Sequence, residues 1–535
     1  MKSSSSIERI RRTFAGWMKL SLVAMLTVSL SGCIEGGLVG LGSTAEEAVA
    51  TPSASLPLVD PKLPTAVKKF YTQKVSWKSC GVSPKTKCGN ITVPLNWAKP
   101  SAGSIQLAVI YRKAEAKKPL GSIIFNPGGP GSSAYDWLVS NAESVGTQSL
   151  RAQYNIVAVD PRGVGMSEPK VRCLSAKDTD AFLYADQTEP LGSAADLAAS
   201  RASARKFIDG CVASTGPALQ FIDTVSAARD LDVVRAVFAD TRLNYLGYSY
   251  GTFLGTIYAS LFPKRVGLLV LDGAIDPKLS DYDQSLAQLK GFDSALKAYL
   301  ANCLESSDCP FKSSGTAAKA EQRIADWFRG LEDRPLPTDS GRKLTVWAAQ
   351  TGLIMALYSQ DYWPYASDAF KDAFSGDGTG FMRLADLYND RSPDGTYSSN
   401  IMEANISINC LDSRSPWVES EVAAQNQRVV AASKVFGRYW QNGALLCSMW
   451  PYPQVKMPTN LSATGSLPIL VIGTTNDPAT PYAQAQALAK LLKSGVLITY
   501  NGEGHTAYTR SNSCVDTAVD RFFLYGRVPK SDPQC

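Results

Sequence analysis

Eight short runs along the chain are dominated by aliphatic and β-branched residues: 91–95, 105–112, 122–126, 155–160, 243–246, 268–271, 469–472 and 496–500. Several are continuous rather than alternating, such as Leu268-Leu269-Val270-Leu271 and Ile469-Leu470-Val471-Ile472. Continuous apolar runs suit strands covered on both faces of a parallel sheet. Between them lie patterns of helical period, for example 224–238 and 482–492. Together they predict an α/β architecture: a mostly parallel eight-stranded sheet with helices on both faces. Nearly two hundred residues separate the runs ending at Leu271 and starting at Ile469, where an ordinary crossover needs one helix. That stretch carries helical patterns at 285–300, 317–331, 343–358 and 418–435, and is expected to be a large inserted, mainly helical lid domain.

Composition agrees with a globular body. Of 535 residues 45% are hydrophobic and 19% charged, which excludes disorder and fibrous architectures. Most of the net charge of +6 sits in the first nineteen residues, where Lys2, Arg9, Arg11, Arg12 and Lys19 face only Glu8. The nearly neutral remainder gives no electrostatic reason to bind nucleic acid.

The basic start precedes an uncharged apolar run, 20–30, too short to span a bilayer and matching the hydrophobic region of a secretory signal. It ends Leu30-Ser31-Gly32-Cys33, which resembles the bacterial lipobox, whose Cys is lipidated and becomes the first mature residue. Arg11-Arg12-Thr13-Phe14 also bears a faint likeness to a twin-arginine signal. The expected protein is exported, and either lipid-anchored through Cys33 to the outer face of the bacterial cell membrane or secreted. Residues 34–65, rich in small residues and Pro, read as a flexible tether. Ten cysteines remain after Cys33, an even number suited to an oxidising compartment. They fall in near-neighbour pairs: Cys80 with Cys88, Cys173 with Cys211, Cys303 with Cys309, Cys410 with Cys447, and Cys514 with Cys535. Five disulfides in that pattern are the expectation, although sequence alone does not fix connectivity.

The chain has one histidine, His505, so no metal site can be built from two or three imidazoles. Any imidazole acid–base chemistry runs through that residue. Gly247-Tyr248-Ser249-Tyr250-Gly251 follows the run 243–246 and precedes a helical pattern, the setting that a Gly-x-Ser-x-Gly nucleophile elbow demands. A serine hydroxyl needs a base, and His505 stands in a loop just after the run 496–500. Asp477, after the run 469–472, is the expected third member, with Asp272 at the end of 268–271 as its rival. The order Ser249, Asp477, His505 is that of the α/β-hydrolase fold. Oxyanion donors are expected from the backbone amides of Tyr250 and Gly129, with Gly128 the alternative, in the loop Asn126-Pro127-Gly128-Gly129-Pro130-Gly131-Ser132-Ser133. Asp160-Pro161-Arg162-Gly163 reads as loop structure near the floor of the site. No metal or organic cofactor is expected.

These motifs in this order resemble the secreted actinobacterial tripeptidyl-aminopeptidase-like serine hydrolases, relatives of the proline iminopeptidases. The resemblance covers roughly residues 70–535. It rests on Trp77-x-x-Cys80 with Cys88, the 126–131 loop, Asp160-Pro161-Arg162-Gly163, Gly247–Gly251, Leu271-Asp272-Gly273, Asp477-Pro478-Ala479-Thr480-Pro481 and Gly504-His505. Proline iminopeptidases begin the oxyanion loop with His, and Pro127 stands there instead, which argues against strict proline specificity. The resemblance implies removal of short peptides from substrates with free N-termini. It also implies acidic residues that hold the substrate ammonium, for which Asp412, Glu403 and Asp136 are the candidates, and a supporting role for Thr480 in the acid loop. An esterase or lipase with the same triad, and a non-catalytic surface-binding lipoprotein, are the alternatives. The expected domains are a signal at 1–33, the tether at 34–65, hydrolase core at 66–276 and 461–535, and the lid at 277–460.

Overall fold

The structure, a computed structural model, describes residues 48–49 and 56–535. The export signal at 1–33, with Cys33, and most of the expected tether lie outside the described residues.

One sheet organises the molecule. Its strands are β1 (Lys78–Ser79), β2 (Thr86–Pro94), β3 (Ser104–Arg112), β4 (Gly121–Asn126), β5 (Tyr154–Val159), β6 (Leu243–Tyr248), β7 (Val266–Asp272), β8 (Ile469–Asn476) and β9 (Gly495–Glu503). Their spatial order is β9-β8-β7-β6-β4-β5-β3-β2-β1. Strands β4 to β9 pair in parallel, and β1, β2 and β3 extend the edge antiparallel. The sheet thus has nine strands where eight were expected. The ninth, β1, is two residues long, too short for a hydrophobic period to register.

The continuous apolar runs divide between two cores because successive side chains in a strand point to opposite faces. From β8, Ile469 and Val471 enter one core while Leu470 and Ile472 enter the other. From β7, Leu269 and Leu271 face the first and Val270 the second. Helices cover both sides. Among them are α1 (Ala134–Asn141), α2 (Ala194–Thr215), α3 (Thr224–Val237) and α4 (Tyr250–Leu261). Leu254 and Ile257 of α4 join the first core, and Leu138 of α1 the second.

Between β7 and β8 the chain builds the four expected helices and others: α5 (Asp281–Glu305), α6 (Ala317–Asp333), α7 (Val346–Leu357), α8 (Trp363–Phe374), α9 (Thr379–Tyr388), α10 (Ile401–Asp412) and α11 (Glu419–Ala432). The sequence patterns missed α8, α9 and α10. Most of this stretch buries its own core, including Phe292, Phe328, Leu353, Phe370 and Phe436. The exception is α10, whose Ala404, Ile408 and Leu411 belong to the core of the sheet. After β8 come α12 (Tyr482–Leu491) and α13 (Ser513–Tyr525).

All five near-neighbour cysteine pairs are joined. Cys80 is bonded to Cys88 at the antiparallel edge of the sheet, where β1 meets β2. Cys173 is bonded to Cys211 of α2, and Cys410 of α10 to Cys447. Cys303, near the end of α5, is bonded to Cys309 six residues on, and both are buried in the core of the insertion. Cys514, in the first turn of α13, is bonded to the C-terminal residue, Cys535. The Cys535 amide also donates to the Thr499 carbonyl of β9 at 2.7 Å, so the end of the chain is fixed to the sheet.

The 34–65 stretch differs from a free tether at its end. Arg265 donates to the Pro57 carbonyl at 2.6 Å and Arg235 to that of Leu58 at 3.1 Å, while Val59 and Leu63 pack on the core. Apolar side chains within the small-residue stretch give it something to bury. No described helix is long and apolar enough to cross a membrane.

Candidate active site

Ser249 sits between β6 and α4 with φ 54° and ψ −121°, a conformation that L residues seldom adopt. The turn is tight enough that a Cβ on Gly247 would lie 2.5 Å from the Gly251 carbonyl oxygen. The Ser249 amide donates to the Asp272 carbonyl at 2.9 Å, tying the elbow to the end of β7. Helix α4 starts at Tyr250 with no side-chain cap, and the Thr252 amide donates back to the Ser249 carbonyl at 2.8 Å.

The loop after β4 faces this elbow. A Cβ on Gly128 would stand 2.9 Å from that of Ser249. The Gly128 amide, however, donates to Asn126 Oδ1 at 3.0 Å. That bond engages the Gly128 amide within its own turn. Asp160, buried at the end of β5, fixes the far end of the loop by accepting from Ser133 Oγ and the amides of Tyr135 and Met166, each within 2.9 Å. Burial pushes its carboxyl up to about 6. The neighbouring Arg162 is structural, as its motif suggested. It forms a buried two-point pair with Asp230 at 2.7 Å and donates to the carbonyls of Pro94, Leu95 and Phe221.

Asp477 follows β8 and His505 follows β9, so adjacent parallel strands deliver the two side chains together. His505 Nδ1 is 2.9 Å from both Asp477 oxygens. The carboxylate also accepts the amides of Ala479 and Thr480 at 2.9 Å and the Thr480 hydroxyl at 3.1 Å. Asp272 makes no such contact. It accepts the amides of Ala507 and Tyr508 instead, holding the chain just past His505. Gly273 brings the two sides of the site together. Its neighbour Asp272 holds the Ser249 amide, and a Cβ on Gly273 would meet His505 Cε1 at 3.0 Å.

The acids suggested for a substrate ammonium fare differently. Asp412 is only 5% exposed and accepts from both the amide of Thr224, at 2.9 Å, and its hydroxyl. Burial pushes it up to about 8, so it is largely uncharged at neutral pH and closed to substrate. Glu403 accepts the amides of Cys173 and Leu174 at 2.7 and 3.0 Å, binding α10 to the segment held by the Cys173–Cys211 disulfide. Both carboxyl groups thus have internal hydrogen-bond partners. Asp136 is exposed in the first turn of α1, directly after the oxyanion loop. Asp390, which sequence reasoning missed, lies near enough that the Asp136 charge adds to the burial that raises its pKa.

The insertion also reaches the site through residues that no motif marked. The Tyr358 carbonyl accepts the His505 amide at 2.9 Å, and Asn405 donates to the Pro130 carbonyl at 3.1 Å. Both lie more than a hundred residues from any motif they touch, so no spacing could have found them.

A strained elbow serine, an acid–histidine pair on adjacent strand ends and a glycine loop opposite define a serine hydrolase of the α/β type. Residues 433–535 match the family model described as TAP-like protein. The serine protease Hip1 of Mycobacterium tuberculosis is 33% identical over 546 residues, covering 99% of this chain and 98% of that protein. Carboxylesterase B of the same species is 34% identical over 86% of this chain and 89% of its own length. The tripeptidyl aminopeptidase of Streptomyces lividans is 30% identical over 86% of each chain. Among solved structures, a proline iminopeptidase from Mycobacterium smegmatis aligns with a TM-score of 0.32 and 14% identity, covering 82% of this chain and 98% of that one. The chain belongs to the tripeptidyl-aminopeptidase-like serine hydrolases. Its five disulfides are consistent with an exported or secreted protein.

Proposed function

We propose that the protein is an extracytoplasmic aminopeptidase that releases short peptides from free N-termini. The observation that carries the mechanism is the Asp477–His505 pair at 2.9 Å, held at the same end of the parallel strands as a serine in an elbow conformation. Ser249 Oγ attacks the scissile carbonyl while His505 Nε2 takes its proton. Asp477 keeps Nδ1 protonated and offsets the imidazolium charge, and Thr480 holds Asp477 in place. The amides of Gly129 and Tyr250 receive the oxyanion. His505 then protonates the leaving amine, and water, activated by the same imidazole, hydrolyses the acyl-enzyme.

Asp136 and Asp390 are the acids in this reading that meet the substrate ammonium, Asp412 and Glu403 being engaged internally. Residues 277–460 form the inserted domain between core segments 66–276 and 461–535. Cys33 carries the lipid anchor. The test of substrate class is a panel of tripeptide anilides, free and N-acetylated, given to purified protein. Cleavage of free peptides with little cleavage of acetylated ones supports the reading, and equal cleavage contradicts it. The second reading, a carboxylesterase, is favoured by the equally similar relative that bears that name. It requires hydrolysis of short acyl esters without hydrolysis of peptides.

A further inference from the structure

We infer that the insertion is a fixed half of the catalytic site rather than a swinging lid, and that Tyr358 is a positioning residue for the base. The inference rests on the reading of Ser249 and His505 as nucleophile and base.

Tyr358 caps the C-terminal end of α7, where helix carbonyls have no partner within the helix. One of these, the Tyr358 oxygen, takes the His505 amide at 2.9 Å. The Tyr358 ring stands edge-on to the imidazole, with centroids 5.6 Å apart and planes at 77°. It also packs against the ring of Tyr388 at the end of α9, with centroids 6.1 Å apart, so the ring is held from a second helix. Gly504 is part of the fit, since a Cβ there would press on the Tyr358 carbonyl at 3.3 Å. The base is thus gripped on one side by Asp477 and on the other by an insertion residue.

The other catalytic loops are held from the insertion in the same way. In the acid loop, Gln288 donates to the Ala479 carbonyl at 3.2 Å and Ser294 to Asn476 Oδ1 at 2.6 Å, and Gly291 leaves no room for a side chain against the Pro478 carbonyl. In the oxyanion loop, Asn405 holds the Pro130 carbonyl, and Gly131 is packed against the Ile401 carbonyl so that a Cβ would approach it to 2.5 Å. At the elbow helix, buried Asp412 binds Thr224, whose hydroxyl contacts that of Tyr250. A hinge opening would break all of these contacts, to the acid loop, the oxyanion loop, the base and the elbow helix, at once. The insertion therefore sets the geometry of the chemistry.

The test measures turnover and fluorophosphonate labelling of the full-length chain with Tyr358→Phe, Tyr358→Leu and Tyr358→Ala, with melting temperatures recorded alongside. Tyr358→Phe keeps the ring and is expected to stay within about threefold of the unaltered protein. Tyr358→Leu and Tyr358→Ala are expected to lose about tenfold or more in kcat and in labelling rate, with KM nearly constant, as misplacement of a catalytic group does. A rise in KM alone, or no change, would make Tyr358 a plain pocket wall and overturn the inference. Hydrogen exchange on the unaltered protein gives a readout independent of any variant's folding. The His505 amide should be as protected as the amides of β9, and rapid exchange there would show the insertion lifting away. Absence of labelling in the unaltered protein would instead overturn the catalytic reading, and this inference with it.

Discussion

Asp272 Oδ2 lies 2.8 Å from the amide nitrogen of Tyr508, so the acid at the end of the strand next to the nucleophile's own braces the loop that carries the base. By residue type and strand position Asp272 competes with Asp477 for the role of imidazole partner. The structure gives it the backbone instead, accepting Ala507 as well as Tyr508. Replacing it with Ala strands two buried amides, at about 1–3 kcal/mol each. Asp272→Ala is therefore expected to lower the stability to denaturant by about 2–6 kcal/mol and kcat by on the order of 100-fold through a displaced His505. Unchanged kcat in a folded variant would show that the brace does not matter to the base.

Asp412 predicts a pH dependence of stability. Burial raises its pKa to about 8, with the Asp223 charge adding to the effect and hydrogen bonds from Thr224 opposing it. An acid whose folded pKa is raised binds its proton more tightly folded than unfolded. Its contribution to stability is therefore complete below pH ~4 and lost as pH rises through about 8. Asp412→Asn, an uncharged stand-in, should nearly match the unaltered protein in urea midpoint at about pH 4 and exceed it at about pH 9. A variant less stable at both values would mean that the buried group is ionised and worth its charge.

Arg162 and Asp230 form a pair in which both side chains are nearly inaccessible. Removing one partner leaves the other charge buried and unmatched, which costs about 3–5 kcal/mol. Arg162→Ala is expected to lose that much in denaturant unfolding, with kcat per folded molecule little changed because neither group meets substrate. A normal midpoint would contradict the structural role of this motif.

The disulfides Cys173–Cys211 and Cys410–Cys447 close loops of 38 and 37 residues, whereas Cys303–Cys309 and Cys514–Cys535 close loops of only 6 and 21. Loop-closure entropy gives each of the two long loops about 4 kcal/mol and the shortest about 2 kcal/mol. Removing Cys410 and Cys447 together as alanines should therefore lower the melting temperature more than removing Cys303 and Cys309 together. Non-reducing peptide maps should show all five near-neighbour linkages, and any crossed linkage would contradict the connectivity.

Most of the sheet and the site was legible because its signals are local. Every parallel strand announced itself by an apolar run, and Ser249, Asp477 and His505 each follow such a run by a few residues. The single histidine left only one base to consider. What escaped depends on contacts distant in sequence. In helix α10 the buried face runs through Ala404, Ser407, Ile408 and Leu411, but small and polar residues make that stripe only weakly apolar, and Asn400, Glu403 and Asn405 beside it bind core loops. Its mixed surface hides the helical period. Asp412 and Glu403 were suggested for an ammonium because the resemblance implies acids near the pocket, but their partners are a threonine and two backbone amides that only the fold brings near. Tyr358 meets His505 through its ring and through a backbone carbonyl that every residue possesses, across a long stretch of chain, so nothing in the sequence could mark it.

The measurement that bears most directly on the central claim is fluorophosphonate labelling followed by peptide mapping, with peptide hydrolysis assayed in parallel. The expected result is one adduct per chain on Ser249, loss of hydrolysis in step with labelling, and neither labelling nor turnover in a folded Ser249→Ala variant. An adduct on another residue, or peptide hydrolysis that survives Ser249→Ala, would contradict the account.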